Sequence, residues 1–186
     1  MYVVRPQVFE TNSSSMHSLV VLKESDYVTD FEKKCALSNY GTELRLGPEV
    51  EFGQSYEVIT DFKMKLAYAF ASLTPAHVDK LLEAVHEILP TLTLIRAHSY
   101  WDEKDIHFKL VDGEFMVEEY DSVGYIDHQS CYLLQEFLAD KDLDIKEFLT
   151  NKKYVIVVDS DCSNREWQNG DFGYRPEDIE EVFDGY

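Results

Sequence analysis

The chain of 186 residues holds only three cysteines, Cys35, Cys131 and Cys162. An odd, widely spaced set fits neither a disulfide framework nor a zinc pattern, and suits reduced thiols in a cytosolic setting. Long apolar runs are missing as well. None approaches the roughly 20 residues that a membrane-spanning helix needs. The stretch Met1-Tyr2-Val3-Val4-Arg5 has neither a basic n-region nor a cleavage pattern, so no secretory leader is expected. Basic charge is scarce: 17 Lys and Arg stand against 36 Asp and Glu, a net charge of −19. Residues 101–186 carry 8 basic and 23 acidic side chains and hold most of it. Such a field repels polyanions, so direct binding of nucleic acid or of an anionic membrane is not expected. A basic groove on another protein would be attracted. Solubility alone also accounts for an acidic composition.

The chain is otherwise rich in core-forming residues. Hydrophobic residues make up 45% of it, with 12 Tyr, 11 Phe and 2 Trp, which argues against disorder and for one substantial core. There are no repeats, low-complexity tracts or long linkers. Strand-like runs fall at 2–9 and 17–22, and a helix is expected at 24–36 with Ser25 as N-cap. A short strand covers 42–46. Helical spacing runs through 56–73, and Thr74-Pro75 opens a second helix that Pro90 stops, giving an αα-hairpin. A strand at 92–98 leads to a hairpin joining 106–111 to 114–119 around Asp112-Gly113. Helices follow at 131–139 and 143–150. Tyr154–Asp159 is a continuous apolar run suited to a central strand buried on both faces, and 176–183 reads as a terminal helix. The expected fold is α+β: a single domain over residues 1–186, with a mixed or antiparallel sheet packed against the αα-hairpin and short helices.

Three polar constellations interrupt this pattern. The first is Phe9-Glu10-Thr11-Asn12-Ser13-Ser14-Ser15-Met16-His17-Ser18, set between two apolar runs and longer than a hairpin turn requires. Its hydroxyls and backbone N–H groups suit an anion nest. Glu10 and His17 are acid–base candidates, and Ser13, Ser14 or Ser15 a nucleophile if His17 is in reach. Asn12 and Ser18 are candidate binding groups. The competing reading is a turn, because Ser and Asn hydrogen-bond their own backbone. No glycine pattern of the phosphate-loop or nucleophile-elbow kind supports an enzyme. The second constellation runs from Asp121 to Ser130 and contains Asp127 and His128, either a site or a capped helix start with Asp127 or Ser130 at the N-cap. The third, Asp159-Ser160-Asp161 at the end of the apolar strand, offers Asp159 and Asp161 as a weak divalent-metal pair. No cofactor is otherwise expected. His77 and His86 fall on opposite faces of one helix, and His98 and His107 near strand ends.

The decapeptide Phe9 to Ser18 resembles a signature of small, uncharacterised proteins of bacteriophages and their Gram-positive hosts. Gly124-Tyr125-Ile126-Asp127-His128-Gln129-Ser130 and the Tyr154–Asp159 strand are similar to the other landmarks of that group. The resemblance covers about 25 residues at three places and implies a genomic setting without a mechanism. A signature made mostly of polar groups is hard to explain by packing.

Two functions are therefore carried forward. One is a phage-type counter-defence protein in the host cytoplasm that imitates nucleic-acid charge. It would inhibit a basic, nucleic-acid-binding host protein such as a CRISPR effector. Its binding residues would include Asp102, Glu103, Asp105, Glu118, Glu119, Asp121, Asp140, Asp142 and Asp144. The other is a small hydrolase or transferase acting on a phosphorylated or nucleotide substrate, with Glu10, Ser13, Ser14, Ser15, His17, Asp127 and His128 as catalytic groups. A mimic needs carboxylates gathered on an exposed surface; an enzyme needs a concave polar pocket.

Overall fold

The computed structural model describes residues 15–47, 51–52, 57–73, 75–99, 104–117, 123, 125–126, 130–131, 133–160 and 176–184. Among these the architecture is α+β, with mixed and antiparallel sheets and an αα-hairpin. The strand expected at 2–9 lies outside the described residues.

The first sheet is organised around the apolar run near the end of the chain. The strands involved are β1 (Ser15–Leu22), β5 (Glu57–Ile59), β10 (Ser130–Cys131), β11 (Tyr154–Ser160) and β12 (Ile179–Asp184). β11 lies between β1 and β5, antiparallel to both. That central place explains its unbroken Val-Ile-Val-Val sequence. Ile156 and Val158 face the main core, while Val155 and Val157 join Val20 and Leu22 in a second apolar cluster. The other edge of β1 is shared end to end: β10 pairs in parallel with Met16 and His17, and β12 pairs antiparallel from Ser18 onward.

The second sheet has the order β2 (Leu37–Ser38), β3 (Glu43–Leu46), β6 (Leu94–Ser99), β7 (Lys104–Val111), β8 (Glu114–Val117). The β7–β8 turn is the expected Asp112-Gly113. Both residues have positive φ, 52° and 91°, as a tight two-residue hairpin turn demands. A small parallel pair joins β4 (Glu51–Phe52) to β9 (Tyr125–Ile126). Between the sheets lie α2 (Phe62–Ser72) and α3 (Pro75–Ile88). Leu66, Phe70, Leu81 and Val85 share one apolar cluster with Leu19 and Ile156 of the first sheet and Leu44, Ile95 and Phe108 of the second. The short helices are α1 (Asp30–Cys35), α4 (Leu134–Asp140) and α5 (Ile145–Thr150).

Four local expectations are corrected. The helix placed at 24–36 begins only at Asp30, because Thr29 and Glu32 form a reciprocal capping box. Ser25 instead accepts a hydrogen bond from Asn151. No residue of α1 is buried, and Tyr27, Phe31 and Cys35 are all exposed. Residues 57–59 form a strand: Val58 and Ile59 are β-branched, and Asp61 starts the helix afterwards by accepting the Met64 N–H. Residues 176–183 are a single 3₁₀ turn and then β12, because the open edge of β1 offers hydrogen bonds that a lone terminal helix would forgo. Finally, Leu133 is the N-cap of α4, without a side-chain bond, so neither Asp127 nor Ser130 caps it.

Candidate functional site

The beginning of β1 gathers parts of all three polar constellations. Ser15 lies opposite Ser160, and Met16 lies between Asp159 of β11 and Ser130 of β10. His17 lies between Val158 and Cys131, and the same row continues to Glu57 of β5. The end of the 121–130 segment and the first signature are therefore neighbours across one strand pair.

His17 itself is 1% exposed, with Nδ1 3.3 Å from the Tyr68 hydroxyl. Tyr68 comes from the buried side of α2 and meets Phe52 edge to face at 5.2 Å between ring centroids. Phe52 is paired with Ile126, so the β4–β9 pair carries the 123–126 segment to the same place. Burial pushes the Glu57 carboxyl above its ordinary value, and the nearby Asp61 adds to that. Ser18 is also buried, between Val157 of β11 and Asp184 of β12. Chemically, the arrangement can hold an oriented imidazole, but in an enclosed environment. Replacing His17 by Ala removes a packed ring and should cost roughly 3 kcal/mol. A thermal melt should fall by about 6–12 °C for a chain of this size.

Exposed carboxylates collect elsewhere, where α4 meets β12. Phe137 and Phe183 pack edge to face at 5.0 Å, and Lys141 lies over the Phe183 ring at 4.7 Å while pairing with Glu181. On the elements joined there, Glu136, Asp140 and Asp142 of α4 and its C-terminal turn, and Glu177, Asp178, Glu180 and Glu181 of the 3₁₀ turn and β12, are all exposed. Asp144 is spent locally, accepting the Lys146 N–H as the N-cap of α5. Asp105 lies on the second sheet, 3.3 Å from His98.

Glu10, Asn12, Ser13, Ser14, Asp102, Glu103, Glu118, Glu119, Asp121, Asp127, His128 and Asp161 lie outside the described residues. Among the described residues no group of three His, Cys, Asp or Glu side chains is placed to hold a metal. His98 lies near the end of β6 as expected, and His107 sits mid-strand in β7; both are on the solvent side of the second sheet. His77 and His86 face apart as expected. His77 lines a cavity of about 520 Å³ between α3 and the α4–α5 pair, and His86 one of about 510 Å³ against the β7–β8 turn. Neither cavity reaches His17.

One charged residue was not anticipated. Lys65 on α2 is 0% exposed, and its ammonium donates to the carbonyls of Phe148 at 3.0 Å and Asn151 at 2.8 Å. Those carbonyls belong to the C-terminal end of α5, where the last groups of a helix have no internal partner and the macrodipole is negative. The Phe148 ring lies 5.2 Å from the ammonium. Burial pushes the Lys65 pKa from the ordinary 10.5 down to about 7, against the opposing pull of Asp61 and Glu147. Its position gave a signal: Lys65 falls on the stripe of Phe62, Leu66 and Ala69, where an apolar residue would be expected.

The chain matches no family model, no curated protein and no solved structure. No helix among the described residues is long and apolar enough to cross a membrane.

Proposed function

We propose that this chain is an acidic interaction protein that binds and inhibits a basic, nucleic-acid-binding protein by presenting carboxylates in place of phosphates. The observation that carries the reading is the α4–β12 junction, joined by Phe137–Phe183 and Lys141–Glu181, whose two elements and flanking turns carry seven exposed carboxylates. A patch of one sign steers a partner of the other sign and speeds encounter. The resemblance to phage proteins suggests the setting: a counter-defence role in the cytoplasm of a Gram-positive host, with a CRISPR effector as one basic target. Asp140 and Asp142 stay in the proposed surface, and Asp144 and Asp105 contribute at most through its wider field.

Salt provides the test. Exposed charges are screened over about 8 Å at physiological ionic strength. Affinity for a basic nucleic-acid-binding protein should therefore fall steeply as salt rises. Affinity unchanged between low and high salt would rule out charge imitation as the driving force.

A second reading, a small hydrolase or transferase on a phosphorylated or nucleotide substrate, draws on Ser15 and His17, two apart on β1 and so on one face of the first sheet; Ser130 and Asp159 fall in the Met16 row, which belongs to the other face. His17 would act as the acid–base group and the serines as nucleophile candidates. The burial of His17 weighs against it. Turnover of p-nitrophenyl phosphate or of a nucleotide, lost when Ser13, Ser14 and Ser15 are all changed to Ala, would favour it over the binding reading. Absence of turnover across such a panel would discard it.

A further inference from the structure

The solvent face of the second sheet is built differently from the rest of this acidic chain. Arg45, Arg96 and His107 stand in one row across β3, β6 and β7. Beside them Glu43 is 3% exposed, and a single carboxylate oxygen accepts both the Arg45 Nε–H at 2.9 Å and the Arg96 Nε–H at 2.5 Å. The other oxygen accepts the Asn39 side-chain amide. Burial alone would raise the Glu43 pKa; its bonds to Arg45 and Arg96 outweigh that and hold the carboxyl below its ordinary value.

The two guanidinium groups are thus fixed along one edge and open along the other. Arg96 also donates through Nη1 to His107 Nε2 at 3.3 Å. Both Nη groups of Arg45, and Nη2 of Arg96, have no partner among the described residues, and the two side chains are 60% and 39% exposed. One carboxylate shared by two arginines leaves a net positive charge. Planar, pre-oriented N–H donors of this kind match the oxygens of a phosphate.

The loop beside them is strained. Asn39, Tyr40 and Gly41 have φ of 49°, 60° and 88°, three left-handed residues in succession, of which only the last is glycine. Asn tolerates that region and Tyr does not readily do so. Thr91 Oγ donates to the Gly41 carbonyl at 2.7 Å, and Asn39 is tied to Glu43, so the loop and the arginine pair form one unit. The Tyr40 ring is fully exposed at 108% of its reference area. Tyr40 follows Asn39, which bonds the carboxylate that holds the two arginines, and an exposed aromatic ring on that loop is a stacking platform for a base.

We infer that this face binds a nucleoside phosphate, with Arg45 and Arg96 receiving the phosphate and Tyr40 the base. The site is separate from the α4–β12 surface and does not depend on the function proposed there.

Binding is to be measured by calorimetry at low salt with AMP, GMP, CMP and UMP in turn. Inorganic phosphate and adenosine serve as separate probes, and amide NMR shifts locate the contact. At least one nucleotide should bind with shifts centred on residues 39–46 and 94–98. Arg45→Ala should weaken it by about tenfold or more. Tyr40→Ala should weaken the nucleotide by about fivefold or more while leaving inorganic phosphate unaffected. Tyr40→Ala should melt with the parent; Arg45→Ala removes one of three donors to the buried Glu43 carboxylate and should melt lower, so its binding is measured at a temperature where the melt shows it folded. No binding of any nucleotide, or an affinity unchanged by Arg45→Ala, would overturn the inference. A nucleotide bound no better than phosphate, and indifferent to Tyr40→Ala, would reduce the face to a plain oxyanion site and overturn the nucleoside assignment.

Discussion

Changing Glu136, Asp140 and Glu180 together to Lys should weaken association with a basic partner by on the order of a hundredfold or more. Each change replaces an attractive contact with a repulsive one, and all three residues are exposed, on α4 and β12, the elements that the Phe137–Phe183 contact joins. The fold should survive. Surface substitutions of this kind stay within about 0.5 kcal/mol each, and reducing a net charge of −19 relieves self-repulsion. Titration calorimetry beside a thermal melt separates loss of binding from loss of structure. A control triple reversal on α1 and the preceding loop, at Glu24, Asp26 and Asp30, should have a much smaller effect, because those residues lie on other elements. Equal losses from both triples would mean that net charge alone governs association.

The largest pH-dependent stability effect is expected at Lys65. Its folded pKa of about 7 lies below the ordinary 10.5. Between those values the folded chain holds fewer protons than the unfolded one, so unfolding takes up a proton and stability rises with pH. The stability cost of the buried ammonium is complete below about pH 7 and gone above about 10.5. Lys65→Met has no proton to gain. At pH 10 it should be less stable than the parent by about 2 kcal/mol, for two lost hydrogen bonds to Phe148 and Asn151. The deficit should shrink by about 1.4 kcal/mol for each pH unit crossed toward 7, vanish near about pH 8.5, and leave the variant the more stable chain below that. Urea unfolding of both chains across that window measures the difference directly and cancels every other titrating group. A constant gap between parent and variant would show that Lys65 does not change its protonation there.

Elements specified by their own sequence were legible, and elements specified by their neighbours were not. Tyr154–Asp159 could be read as central and doubly buried because an unbroken apolar run has no other use at that length. Pro75, which opens α3, and Asp112-Gly113 mark boundaries through local backbone chemistry. β12 was read as a helix because its strand identity comes from the unpaired edge of β1, about 160 residues away in sequence. β5 was absorbed into the following helix for the same reason, since β11 supplies its partner.

The sites follow the same rule. That the polar run ending at Ser18 and the polar run ending at Ser130 are neighbours is a fact of pairing between β1 and β10, and composition could only suggest that both were unusual. Glu43 passed unnoticed because its meaning lies in Arg96, 53 residues on and one strand across. The acidic residues were visible from the start. Which of them share a surface was not, and Asp105 proved to lie on a strand of the second sheet, whereas Asp140 and Asp142 lie at the end of α4.

The most direct measurement for the interaction role uses the intact chain, immobilised, to capture protein from a Gram-positive host lysate, followed by competition. The bound protein should be basic and nucleic-acid-binding. It should be released by added RNA or by raised salt, and the Glu136→Lys, Asp140→Lys, Glu180→Lys variant should fail to retain it. Retention unchanged by RNA, by salt and by the three reversals would contradict the account.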